Sequence, residues 1–342
     1  MKRVEIINPR TAVIGETADP IAGAGEVRVR VYRCGICGSD LHAFKGEHPF
    51  ISLPAYPGHE LAGVIDQVGS GVKGWSIGDR VCVQPQLICG ECPLCESGRY
   101  NICVNLRVMG CQGSGGLADY ILSPATMLHR LPDTVSFDQG ALVEPLAVGV
   151  RAVRRGGGVA GRTVLIQGAG TIGLACLMVA RVYGAAFTVI TDTRYDRRKR
   201  AEEIGADIAA EPADIEWREW TDKYLKGLGF DIVLECVGIE VTARQAINLV
   251  RKGGRIVIAG VFGDDVAIPM KYVQDRELEI LGTLMYSKSD FSEALRLIAE
   301  DRVPVDRLVS HHLSLGEVPS FFALLDDPKQ PSGKMMVHCV SE

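Results

Sequence analysis

The chain has no hydrophobic run long enough to cross a bilayer: its longest apolar stretches, such as Leu174–Ala180, fall far short of a span. No apolar segment follows the opening Met1-Lys2-Arg3-Val4-Glu5, so a cytoplasmic location without a secretory leader is expected. Positive charge is not in excess either. A net charge of −5 over 342 residues leaves no basic face for nucleic acid. The local basic run Arg194, Arg197, Arg198, Lys199 and Arg200 reads as the solvated face of a helix. Internal repeats and low-complexity segments are missing. What remains is a soluble globular balance, 47% hydrophobic and 23% charged, in a length that suits two domains.

Glycine and cysteine are plentiful. The 39 glycines imply many tight turns or close backbone approaches. The 11 cysteines are an odd number, and several sit in CxxC spacings. In a chain with no export signal that pattern favours metal ligation over disulfides.

Residues 1 to about 150 hold short alternating stretches, Glu26–Val31, Val64–Val68 and Arg80–Val83, that read as strands of a β-rich domain. Beyond them the pattern changes. Strands at Thr163–Gln167, Phe187–Thr191, Phe230–Glu235 and Gly254–Ala259 alternate with helices at Thr171–Tyr183, Tyr195–Ile204 and Thr242–Val250. That alternation predicts a parallel sheet covered on both faces. A helix at Phe291–Glu300 and a strand at Lys334–His338 follow.

Two segments fit GxGxxG, Gly69–Gly74 and Gly168–Gly173. Only the second follows a strand and opens a helix, the context that gives the motif its meaning; the first reads as a loop. Gly168 permits the tight turn, Gly170 the approach of a pyrophosphate, and Gly173 close helix–sheet packing. The helix N-terminus then stabilises the phosphate charge. Asp192, 24 residues after Gly168, is placed to accept the adenosine ribose hydroxyls. It would repel a 2′-phosphate, so NAD is favoured over NADP. Arg197 or Arg198 folding back onto a phosphate would weaken that preference.

Cys89, Cys92, Cys95 and Cys103 can wrap one zinc ion tetrahedrally. Sulfur would fill every position, so such a site is structural. An iron–sulfur cluster is the rival reading. Three more stretches are informative together: Cys34–His42 (CGICGSDLH), Gly58-His59-Glu60 and Val143–Leu146. His59-Glu60 does not continue as HExxH, because Gly63 stands where the second histidine would be.

In order along the chain stand CGICGSDLH (34–42), PGHELAGVI (57–65), GDRV (78–81), the four-cysteine segment (89–103), GGLADY (115–120), EPLAVG (144–149) and GAGTIG (168–173). This set resembles the zinc-dependent medium-chain dehydrogenase/reductase superfamily, in its sorbitol (polyol) and threonine dehydrogenase branch, over nearly the whole chain. The resemblance implies an α/β fold, with a doubly wound Rossmann sheet (151–284) inserted in a β-rich GroES-like catalytic domain (1–150 plus 285–342). It implies a homodimer or homotetramer acting on a small alcohol, with one catalytic zinc, one structural zinc and NAD.

By the same resemblance Cys37 and His59 ligate the catalytic zinc, while Glu60 and Glu144 supply or share the next position. Ser39 takes the proton of the substrate hydroxyl and passes it toward His42. Asp40 orients His59, and Cys34 is a buried bystander. Ile172, Val237, Val261 and Leu284 line the dinucleotide, with hydrophobic core as the alternative for Val261 and Leu284. Met285 and Tyr286 stand where sorbitol dehydrogenases usually carry an arginine, which turns the expectation from sorbitol toward another polyol, sugar or sugar acid. L-Threonine oxidation, a non-catalytic zinc-bearing binding protein and a zinc-free quinone reductase are the alternatives. His48, His129, His311, His312 and His338 read as structural.

Overall fold

The computed structural model describes residues 1–324 and 333–340. The chain forms two compact units. One holds Met1–Glu144, Ser287–Asp301 and Leu308–Glu342; the other holds Pro145–Tyr286 and Arg302–Arg307. The first unit is therefore discontinuous in sequence. The short segment Arg302–Arg307 belongs with the second unit, although the resemblance assigned it to the first.

The first unit is built on a seven-stranded sheet. Its order is Val309–Ser314, Lys334–His338, Glu26–Ile36, Glu60–Val68, Arg80–Val83, Leu128–Arg130, and Tyr120–Pro124 also pairs with Glu26–Ile36. In the strand Glu26–Ile36, Val27, Val29 and Val31 point into the core. From Arg33 to Ile36 every residue is buried, because both faces are covered there. Period-two alternation cannot signal that stretch, and the sequence reading ended at Val31. The hairpin Lys2–Asn8 with Thr11–Glu16 also went unread.

His129 is a core group of this unit. Its Nε2 lies 3.1 Å from Gln84 Oε1 and its ring centroid 4.5 Å from that of Phe291. Burial, then the charge of Lys288, pushes its pKa down to about 4. The folded protein thus holds this imidazole neutral where the unfolded chain, with a pKa of about 6.5, takes up a proton. The stabilisation is complete above pH ~6.5 and is lost as pH falls toward about 4, by roughly 3 kcal/mol in all. His129→Asn is expected to flatten the decline of unfolding free energy between those pH values relative to wild type. Denaturant melts at stepped pH check this; parallel slopes in the two proteins would contradict it.

The second unit carries a six-stranded, wholly parallel sheet. Its order is Ile208–Ala210, Phe187–Thr191, Thr163–Gln167, Phe230–Glu235, Val250–Ile258, Glu279–Gly282. This is the doubly wound 3-2-1-4-5-6 arrangement, whose strand order reverses between Thr163–Gln167 and Phe230–Glu235. Ligands in such sheets bind beyond the carboxyl ends of the strands at that reversal. The residues there are the glycine loop at 168–173 and Val237. No helix among the described residues is long and apolar enough to cross a membrane.

Candidate active site

Cys37 sits at the N-cap of the helix Gly38–Lys45, and His59 and Glu60 lead into the strand Glu60–Val68. One ligand atom from each of Cys37, His59 and Glu60 lies within 4.8 Å of the other two. Two glycines make this approach possible. Gly35 faces Glu60 across the sheet, and a Cβ there would stand 2.1 Å from Glu60 Oε2. Gly58 has φ +103°, and a Cβ on it would meet the Leu117 backbone and the Cys34 sulfur.

Asp40 is fully buried and ties the two ligand segments together. Its Oδ2 accepts from Cys37 N at 2.9 Å, and its Oδ1 accepts from Gly58 N at 3.3 Å. His59 Nδ1 lies 3.8 Å from Asp40 Oδ1, a charge contact too long for a hydrogen bond. Burial disfavours charge on His59. Cys37, Asp40 and the Cys111 thiol outweigh it and hold the imidazole well above its ordinary value. The pocket therefore favours positive charge. His59 Nδ1 and Glu60 Oε2 are both buried without a hydrogen-bond partner. A sulfur, an imidazole and a carboxylate converging on such a spot could hold a zinc ion and leave one coordination position open. Cys34 is pushed well above the usual thiol value by burial, then by Cys339 and Asp40, so it stays a protonated bystander. Glu144 is buried but is not among the three converging side chains.

A residue the sequence reading missed completes this pocket. Lys334 Nζ lies 2.5 Å from Glu60 Oε1 and donates to Ile36 O at 2.9 Å, with the two charged side chains 2% and 1% exposed. Burial alone would lower the ammonium pKa; Glu60, Cys37 and Glu144 outweigh it and raise it. Glu60 thus has one oxygen on a fixed cation and one unpartnered. Lys334 is 274 residues from Glu60, so no spacing rule could link them.

Ser39 Oγ lies 3.9 Å from Cys37 Sγ. His42, one helical turn beyond Ser39, is 63% exposed, and its Nδ1 lies 3.7 Å from Glu47 Oε2. The pair runs from the ligand cluster to solvent.

The Cys89, Cys92, Cys95 and Cys103 sulfurs also lie within 4.8 Å of one another. Cys103–Cys89, Cys92–Cys103 and Cys89–Cys95 are 3.4, 3.9 and 4.0 Å apart. Zn–S bonds of ~2.3 Å in a tetrahedron set sulfurs about 3.8 Å apart. An iron–sulfur cluster, ligated through several irons, would spread them further. Backbone N–H groups of Val104 and Cys95 bring Cys92 down to about 6, while burial pushes Cys95 up to about 12. All the cysteines are free of disulfides.

In the second unit Gly168 has φ +89°, and a Cβ on Gly173 would lie 1.8 Å from Gly168 O, so the helix Thr171–Val182 packs tightly on its strand. Around Gly170 a Cβ would meet nothing within 4 Å, which leaves room for a phosphate. Asp192 is buried at the end of Phe187–Thr191; its Oδ2 accepts from Ala169 N at 2.8 Å and its Oδ1 from Arg194 N at 2.9 Å. The same carboxylate therefore braces the glycine loop. Arg197 Nη1 lies 3.4 Å from Asp192 Oδ2 rather than turning away from it. Ile172 is half-buried, and Val237, Val261 and Leu284 are exposed, so the core alternative for Val261 and Leu284 fails.

Residues 23–133 match the family described as alcohol dehydrogenase GroES-like domain, and residues 171–300 match zinc-binding dehydrogenase. The chain belongs to the zinc-dependent medium-chain dehydrogenase/reductase superfamily, in its polyol branch. This dehydrogenase is 36% identical over 321 residues, 93% of each chain, to 2-dehydro-3-deoxy-L-galactonate 5-dehydrogenase of Pseudoalteromonas atlantica. It is 33% identical to a sorbitol dehydrogenase of Halalkalibacterium halodurans, over 89% of each chain. Among solved structures, an alcohol dehydrogenase from E. coli CFT073 complexed with NADH superposes with TM-score 0.92 at 28% identity, covering 99% of both chains. The dehydrogenase is an enzyme of NAD(P)-linked secondary-alcohol oxidation, with zinc and a nicotinamide dinucleotide as cofactors.

Proposed function

We propose that the enzyme oxidises a secondary hydroxyl of a polyol, sugar or sugar acid to the ketone with NAD. The observation that carries this reading is the convergence of Cys37, His59 and Glu60, with buried Glu144 standing, by the family resemblance, where simple alcohol dehydrogenases use a second cysteine. The named activities of the relatives, on a sugar acid and on sorbitol, support the substrate class.

Zinc held there would supply Lewis acidity toward a substrate hydroxyl, and a bound nicotinamide would supply the hydride acceptor. The chain does the rest. Cys37, His59 and Glu60 hold the ion, with buried Glu144 as a further carboxylate whose charge acts on Lys334. Asp40 fixes the ligand-bearing segments by binding both Cys37 N and Gly58 N. Ser39 accepts the hydroxyl proton at Oγ, and exposed His42 receives it and releases it to water, near Glu47. Cys89, Cys92, Cys95 and Cys103 hold a second, structural zinc. Gly168, Gly170 and Gly173 seat the pyrophosphate, and Ile172, Val237, Val261 and Leu284 border the dinucleotide.

Assay of NADH formation over a panel of polyols, sugar acids, L-threonine and simple secondary alcohols tests the reading. Highest kcat/KM on a polyol or sugar acid is expected. Preference for L-threonine would replace the substrate class, and silence across the panel by zinc-loaded protein would favour a binding role.

Asp192 is the proposed source of NAD preference. Its removal takes away a charged ribose contact, worth tenfold to hundredfold by the usual ~1.5–3 kcal/mol, and frees Arg197 to meet a 2′-phosphate. Asp192→Gly is expected to lower the NAD-to-NADP ratio of kcat/KM by at least about tenfold. An unchanged ratio would remove Asp192 from cofactor choice.

A further inference from the structure

Away from both cysteine-bearing sites, three metal-ligating side chains converge on the first unit. His312 projects from Val309–Ser314, His338 from the neighbouring parallel strand Lys334–His338, and Asp138 from the first turn of the helix Phe137–Ala141. His312 Nδ1 and His338 Nε2 are 2.8 Å apart. His312 Nε2 lies 3.6 Å from Asp138 Oδ2, and one ligand atom of each residue lies within 4.8 Å of the other two. Arg33, opposite His338 in the sheet, donates from Nε to Asp138 Oδ1 at 2.7 Å.

The contact between the imidazoles has a chemical consequence. Two ring nitrogens 2.8 Å apart share one proton at most, so at least one of them keeps a lone pair directed at its partner. A tetrahedral ion with metal–nitrogen bonds of ~2.0–2.1 Å sets its nitrogens about 3.3 Å apart. The rings need part by only about half an ångström to admit it. His312 can move that far, since it lies on the outermost strand of the sheet with its side chain 48% exposed. Asp138 adds an oxygen from a separate element. Two imidazoles and a carboxylate suit zinc, nickel or copper and do not suit magnesium or calcium, which take all-oxygen shells. The Arg33 charge on Asp138 weakens the carboxylate as a ligand, and the exposed setting leaves remaining positions to water. Both features point to exchangeable rather than permanent binding.

We propose that Asp138, His312 and His338 form a third, exchangeable transition-metal site, distinct from the catalytic and four-cysteine sites. An ion there would join the strands Val309–Ser314 and Lys334–His338 to the helix Phe137–Ala141.

Equilibrium dialysis of the two-zinc enzyme against micromolar free zinc tests this directly. Wild type is expected to take up one further equivalent that dialysis against metal-free buffer removes. His312→Gln and His338→Gln each lose that equivalent, and Asp138→Asn binds it at least tenfold more weakly. His312→Gln keeps its two permanent zinc ions and its activity without added metal. Nickel is expected to raise the melting temperature of wild type and leave that of His312→Gln unmoved, while magnesium moves neither. Absence of a third equivalent in wild type, or its persistence in both histidine variants, overturns the proposal.

Discussion

Cys37→Ser is expected to lower kcat at least about a thousandfold while leaving NADH affinity within a few-fold of wild type. Several kcal/mol of transition-state stabilisation attach to a Lewis-acid ion, and each ~1.4 kcal/mol is a factor of ten. A serine hydroxyl keeps the shape of the cysteine but does not ionise to a ligand at neutral pH. The backbone at this position is held by Asp40, so the helix Gly38–Lys45 should keep its start. Zinc content should drop from two to one per chain, because the four-cysteine site shares no ligand with Cys37. Stopped-assay kcat, NADH fluorescence titration and metal analysis on one preparation check the three parts together. Turnover within tenfold of wild type with zinc still at two per chain would remove Cys37 from the ligand set.

Lys334→Met is expected to cost about 3–5 kcal/mol of folding stability, the usual consequence of leaving one member of a buried ion pair uncompensated. Glu60 would then sit in the core with no cation against it, and Ile36 O would lose its donor. Glu60→Gln on that background should recover part of the loss, since it removes the stranded charge; a double-mutant cycle measures the coupling. The loss should also be smaller in zinc-loaded than in zinc-stripped protein, because the metal offers Glu60 another positive partner. Chemical denaturation of the four variants, with and without chelator, provides the numbers. A cost below 1 kcal/mol in stripped protein, or one independent of zinc, would mean that the ion pair does not matter to the pocket.

What could be read before the structure was what lies close together in the chain. The glycine loop, its strand and its helix span 163–182, and the strands Thr163–Gln167, Phe187–Thr191 and Phe230–Glu235 stand where their apolar runs placed them. The four-cysteine segment is equally local, and so its convergence was legible. The convergence of Cys37 with His59 and Glu60 came from resemblance, since nothing in their separation requires it. Lys334 and the Asp138–His312–His338 group were not legible at all. Lys334 depends on the pairing of its strand with Glu26–Ile36 and of that strand with Glu60–Val68, and the histidine group also on a helix more than a hundred residues away. Single histidines gave no sign of which would be core and which would meet. His129 is a neutral core group, whereas His312 and His338 face each other.

The cation that neutralises Glu60 is carried by the last strand of a discontinuous unit. During synthesis, residues 37, 59 and 60 leave the ribosome long before residue 334 does. The acid of the pocket must therefore wait for a further 274 residues before its counter-charge arrives. The four-cysteine segment, complete at residue 103, depends on no such distant partner.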